Sequence, residues 1–304
     1  MLASTVTISR VAGVEIGINW SWIVVFALFL WSLAGVEFPA AVPHRSAWVY
    51  AAMGVIATAC FFTSLVLHEL GHALQARRDG VQIEGITLWL FGGVAKFAGR
   101  FPSAGAEFRI AIAGPLVTLA LGICFSVAAA AWPQPGAVRA VLIWLAYINL
   151  ALLVFNLLPA MPLDGGRVLR SALWARSGSM PAATHRATRV GGVLAALMIG
   201  AGLVTVLNGS LGGLWLALIG WFVLEAGRAE ERDVVLHDAL GGATVAALMT
   251  VDPTTFEVDE TLDEMAADLR GAASHTAYPV VDAADRVVGL MPLRRWRGCR
   301  TRNG

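Results

Sequence analysis

The sequence predicts an all-α polytopic membrane protein of about six transmembrane helices, with a small membrane-associated β-hairpin and a small α/β segment near its C-terminal end. Three observations carry this. Of 304 residues, 57% are hydrophobic and only 14% are charged, and the mean hydropathy is +0.69, too apolar for an ordinary soluble domain. Several uncharged runs are as long as a bilayer-crossing helix requires. After Glu225 the composition turns abruptly polar. The net charge of +1 argues against nucleic acid as a partner. The three cysteines, in apolar runs and the tail, do not suggest a disulfide framework. No cleavable leader is expected, because residues 1–18 lack a charged start and a continuous apolar core.

The elements follow in order. Residues 16–36 are uncharged and rich in Trp, Val, Leu and Phe, which predicts the first span. Residues 46–67 carry no charge and predict a second, running on to Arg77-Arg78-Asp79-Gly80, where Gly80 is a suitable helix stop. In residues 81–97, Ile86, Leu88 and Leu90 alternate with Thr87 and Trp89 before Gly92-Gly93. That pattern fits a short hairpin near the interface, whose edge could accept an extended peptide, or a plain loop with a glycine turn. Residues 110–138 and 140–163 predict spans three and four. Residues 190–224 predict a hairpin of two more, broken at Asn208-Gly209-Ser210. Arg77, Arg78, Lys96 and Arg100 follow span two, and Arg167, Arg170, Arg176, Arg186 and Arg189 follow span four. This bias predicts a multi-pass protein of the cell membrane with both termini cytoplasmic.

His68-Glu69-Leu70-Gly71-His72 lies at the end of the second run. Histidines four apart share one helix face, so both imidazoles can reach one zinc ion. The glutamate between them can take a proton from water beside that ion. Two histidines on an apolar helix could instead be hydrogen-bonded to neighbours, but ionisable groups clustered in a membrane span are costly and call for a function. His68 stands nine residues before Arg77, about 13 Å along a helix and still within the hydrocarbon layer. A catalytic zinc keeps three protein ligands, and the candidate third is Asp164. It closes the fourth run at the same depth, after Pro159 and Pro162 and before Gly165-Gly166. An Asp-Gly pair after prolines is also a common turn.

These residues resemble the site-2 protease family of intramembrane zinc metalloproteases. His68-Glu69-Leu70-Gly71-His72 matches its HExxH. Residues 156–165 match its Asn-x-x-Pro…Leu-Asp-Gly pattern, and Phe91-Gly92-Gly93 matches a glycine-bearing membrane hairpin. The similarity spans residues 1–228. It implies one Zn2+ per chain on His68, His72 and Asp164, and Glu69 as general base. It also implies that Asn156 orients substrate or holds the oxyanion, with Gly92 and Gly93 at the substrate. The reaction implied is cleavage of transmembrane segments in single-span membrane proteins, such as anti-sigma-type regulators or signal-peptide remnants.

The rest of the chain reads as a linker over residues 229–242, an α/β segment over 243–293 and a basic tail over 294–304. Leu248-Met249-Thr250, Tyr278-Pro279-Val280-Val281-Asp282 and Val287-Val288-Gly289 resemble a single partial CBS motif. Such motifs normally pair, so self-association through it is expected, while the pattern departs after Met291 and assigns no nucleotide-binding residue. Two other functions suit the chain: a transporter regulated by this segment, and a pseudo-protease that binds helices without cutting them. Transport would spread polar residues through several spans, whereas here they gather at one site.

Overall fold

The computed structural model of the chain describes residues 5–11, 14–89, 92–98, 101–241, 243–268 and 275–292. The chain divides into two compact units, Met1–Asp238 and Ala239–Gly304. The expected tail, together with Leu90, Phe91 and Arg100, lies outside the described residues.

The first unit opens with strands β1 (Thr5–Val11) and β2 (Val14–Asn19). The first helix therefore starts later than the uncharged run suggests. Residues 16–18 pair instead with residues 86–88, and Asn19 Oδ1 accepts the Ser21 N–H at 3.0 Å as the chain turns into helix α1 (Ser21–Ser32). A π-helical turn (Leu33–Glu37) and α2 (Phe38–Ala41) complete the span. Helix α3 (Ala47–Arg78) follows. It ends where Gly80 takes φ +77° and Val81 N–H reaches back to the Ala76 carbonyl at 2.9 Å, a closure that favours glycine.

Strands β3 (Gln82–Trp89) and β4 (Gly92–Ala98) form the expected hairpin, but within a four-stranded sheet of order β1-β2-β3-β4. Pairing of β2 with β3 is parallel and the other two pairings are antiparallel. The sheet puts the N-terminal strands beside the chain that leaves α3.

Helix α4 (Ala104–Ala131) begins six residues before the uncharged run does. Its two early charges are accommodated: Glu107 is fully buried against Arg170, and Arg109 pairs with Asp79. Ser103 caps it by accepting from Ala106 N–H at 3.2 Å. Helix α5 (Ala137–Asn156) stops earlier than expected, because residues 157–163 with two prolines form turns. Helices α6 (Asp164–Ser177), α7 (Met180–Leu207) and α8 (Gly212–Leu240) complete the unit.

Among the described residues, five helical stretches are long and apolar enough to cross a membrane: Ser21–Ala41, Ala47–Arg78, Ala104–Ala131, Ala137–Asn156 and Met180–Leu207. The sixth expected span is the first half of α8. Its apolar part before Glu225 covers about 20 Å of the ~30 Å hydrocarbon layer. Even so, α8 runs antiparallel to α7. Close to the hairpin, a Cβ on Gly202 would lie 2.5 Å from the Gly213 carbonyl oxygen, and at the far end His185 Nδ1 meets Glu231 Oε1. The polar half of α8 therefore returns to the end of the unit where α7 begins. Small residues permit this approach, which in a bilayer replaces hydrophobic burial as the source of helix association. At the opposite end, Phe29, Phe61, Phe62 and Trp144 form an aromatic cluster with α1, α3 and α5 around it.

The second unit contains α9 (Val245–Leu248), β5 (Phe256–Glu257), α10 (Leu262–Asp268), β6 (Ala277–Val281) and β7 (Val287–Pro292). The sheet order is β5-β6-β7, and Phe256, Met265 and Tyr278 form its core. Asp282 makes the tight turn between β6 and β7 by accepting from Ala284 and Arg286 N–H at 2.9 and 3.0 Å.

Candidate metal centre

The four-residue spacing on α3 turns His68 and His72 to one side, and both are buried. Asp164 opens α6, delivered there by the turns after α5. These turns are pressed tightly onto the helix. A Cβ on Gly165 would sit 2.2 Å from the Leu157 carbonyl oxygen, and one on Gly166 would sit 2.5 Å from Ala160 backbone. Only glycine fits at either position, which explains the pair after Asp164.

The three side chains converge. His68 Nε2 lies 3.2 Å from Asp164 Oδ2, His72 Nε2 lies 3.2 Å from Asp164 Oδ1, and the two Nε2 atoms are 3.1 Å apart. Among the described residues they are the group whose donor atoms lie close enough together to hold a metal ion. The other face of each ring is already committed. His72 Nδ1 is 2.7 Å from the Ile110 carbonyl, which can only accept, so Nδ1 carries a proton and the neutral ring presents its lone pair at Nε2. His68 Nδ1 is 2.7 Å from Thr118 Oγ1, whose own hydroxyl points to the Gly114 carbonyl at 3.3 Å. His68 therefore donates as well. Asp164 Oδ2 is buried and, among the described residues, has no partner within reach other than His68 Nε2.

With both Nδ1 atoms committed outward, the two Nε2 atoms and the Asp164 carboxylate face one another, a donor set that suits a divalent cation. Zinc bound at about 2.0–2.1 Å in tetrahedral geometry separates its ligands by roughly 3.3 Å, close to the spacings found. Outer hydrogen bonds that fix the tautomer and orientation of a histidine ligand are part of such centres.

Helix α4 supplies those outer contacts, and it also makes room. A Cβ on Gly114 would lie 2.3 Å from His72 Nε2 and 2.8 Å from His68 Cε1. Ile110, Gly114 and Thr118 were not singled out by sequence reasoning, which treated this stretch as a plain span. Their spacing on one helix face, with a Gly-Pro pair inside an uncharged run, is the signal that would have marked them.

Glu69 follows His68 on α3 and is half-buried. Asn156 is half-buried at the end of α5. Gly92 and Gly93 open β4, opposite Trp89 and Leu88.

Comparison with known proteins agrees with this geometry. The model of Peptidase family M50 matches residues 56–135 and 125–200, which include both histidines and Asp164. Rip3 of Mycobacterium tuberculosis is 40% identical over 300 residues, covering 97% of this chain and 76% of Rip3. The chain belongs to peptidase family M50. A zinc metalloprotease of Methanocaldococcus jannaschii is 34% identical over 232 residues, 76% of this chain and 65% of that protein. The solved site-2 protease from the same organism matches with a TM-score of 0.50 and 31% identity, over 75% of this chain and 95% of that one. The M50 member described here is accordingly a multi-pass, site-2 protease-like zinc metalloprotease.

Proposed function

We propose that this peptidase is an intramembrane endopeptidase that cuts transmembrane segments of single-span membrane proteins, such as anti-sigma-type regulators or signal-peptide remnants. The observation that carries the reading is the burial of three convergent donor groups, His68, His72 and Asp164, within a bundle of bilayer-length apolar helices. A soluble peptide substrate would not call for such a location.

In this reading His68, His72 and Asp164 hold zinc, which when bound supplies Lewis acidity to water and to the scissile carbonyl. Glu69 takes a proton from the attacking water as the new C–O bond forms. It returns that proton to the amide nitrogen as the C–N bond breaks. The Asn156 amide donates to the developing oxyanion. Backbone near Gly92 and Gly93 lines up an extended substrate by strand addition. A helical substrate has to unwind first, since its carbonyls are otherwise held in internal hydrogen bonds.

We place both ends of the membrane unit at the cytoplasmic face. Arg77, Arg78, Arg167, Arg176 and Arg186 flank helix ends on the metal-centre side, in keeping with the positive-inside bias. Val287, Val288 and Leu290 of edge strand β7 are each more than half exposed. This supports the proposal that two copies of the chain pair through the CBS-like segment.

The test is co-expression with a tagged single-span substrate. Glu69→Gln is expected to abolish cleavage while keeping its zinc, because the metal ligands are untouched. A Glu69→Gln protein that cuts as fast as the parent removes the general-base assignment.

A further inference from the structure

Glu107, Arg170 and Glu230 come from α4, α6 and α8. Arg170 is 1% exposed and Glu107 is fully buried. Arg170 Nε donates to Glu107 Oε1 at 2.7 Å and its Nη2 pairs with the same carboxylate. Its Nη1 donates to Glu230 Oε1 at 2.9 Å. The guanidinium thus bridges carboxylates on two helices from a third. Burying such charges costs much of what their attraction returns, so the pair is weak evidence for stability as such. What it fixes is the relation of α6 to α4.

That relation governs the metal centre. Glu107, Ile110, Gly114 and Thr118 follow one another at intervals of three and four, so they form one stripe along α4. The Ile110 carbonyl and Thr118 hydroxyl orient the two imidazoles, and Gly114 gives the rings their space. Helix α4 therefore sets both histidines, whereas α6 brings the third donor. Arg170 lies six residues after Asp164 on α6, and Glu107 lies one turn before Ile110 on α4.

We infer that Glu107, Arg170 and Glu230 are positioning residues for the metal centre, holding the register of α6 against α4 so that Asp164 meets His68 and His72. The inference rests on the ligand set proposed above. Its consequence is that the centre depends on a charged tie well outside the ligand shell.

The experiment uses the full-length protein in detergent, loaded with Zn2+ or Co2+. Glu107→Leu with Arg170→Met replaces the buried pair by apolar groups of similar size, a change that folds often tolerate. Zinc loss to a chelator is expected to be 10–100-fold faster than in the parent, the range seen when outer contacts of metal ligands are removed. The visible Co2+ bands are expected to change, and kcat for a tagged single-span substrate to fall by a similar factor with KM within about two-fold. Arg170→Lys keeps the charge but loses the fork. It is expected to move the same readouts in the same direction, and it decides the matter if the apolar variant does not fold. A folded variant with the parent's zinc retention and Co2+ spectrum overturns the inference. A parent protein that takes up no zinc or cobalt overturns the ligand set itself, a different result from unchanged retention in the variants.

Discussion

The metal centre is tuned less by its ligands than by the atoms that leave those ligands no freedom. Gly114 is the clearest case, because its missing Cβ is the space the His72 ring occupies. Gly114→Ala is expected to displace that ring by an ångström or more. Cleavage should fall at least about 100-fold, the usual consequence of such misplacement, and zinc content should drop in the purified protein. Thr118 acts one step further out. Thr118→Val removes the partner of His68 Nδ1 and is expected to weaken zinc retention by about 10–100-fold, while Thr118→Ser keeps it. Metal analysis after chelator challenge checks both. Equal zinc in parent and Thr118→Val would mean that the hydroxyl does not orient the ring.

At the scale of elements, helices α3 and α4 are tied near the surface by Asp79 and Arg109. The Asp79 carboxylate accepts from Arg109 Nε at 3.1 Å and from Gln75 Nε2 at 2.9 Å. The hydrogen bond from Arg109 holds the Asp79 carboxyl below its ordinary range. A carboxylate with a lowered pKa in the folded state contributes fully above its unfolded value, about 3.9, and loses that contribution as pH falls through the folded one. The stability difference between the parent and Asp79→Asn should therefore stay constant from pH 7 to 5 and shrink below about 4, as read from thermal midpoints in detergent. A difference that already fades between pH 7 and 5 would assign the effect to another group. Elements also show what could be read in advance. Spacing alone put His68 and His72 on one face, and Pro159 and Pro162 announced the break after α5; the turn expected at Gly165-Gly166 is instead the first turn of α6, where the glycines permit close packing. Helix limits were less legible. Counting uncharged residues started α4 too late, because Glu107 and Arg109 find partners from α6 and from the end of α3. It started α1 too early, because residues 16–18 pair with a strand about seventy positions away. Those partners are remote in sequence, so nothing local reveals them. The same holds for the Ile110 carbonyl, a backbone atom that no side-chain motif can announce.

For the molecule as a whole, the polar composition after Glu225 marks where α8 changes from apolar to polar, while the first unit continues to Asp238. The boundary expected at residue 228 precedes Glu230 and Glu231. Those two residues reach back to Arg170 on α6 and His185 on α7. The last turns of α8 therefore belong to the metal-holding unit in a mechanical sense, although no ligand comes from them. Two truncations separate these views. A chain ending at Leu240 keeps both contacts and every donor to the centre, so it is expected to hold zinc as the parent does and to cleave a single-span substrate within about three-fold of it. A chain ending at Leu224 loses both contacts and leaves Arg170 with one carboxylate. Its zinc retention is expected to fall even if it inserts into the membrane. If the two truncated proteins retain zinc equally well, the outer half of α8 is only a connector. If the chain ending at Leu240 loses its zinc, the second unit supports the centre through contacts beyond those described.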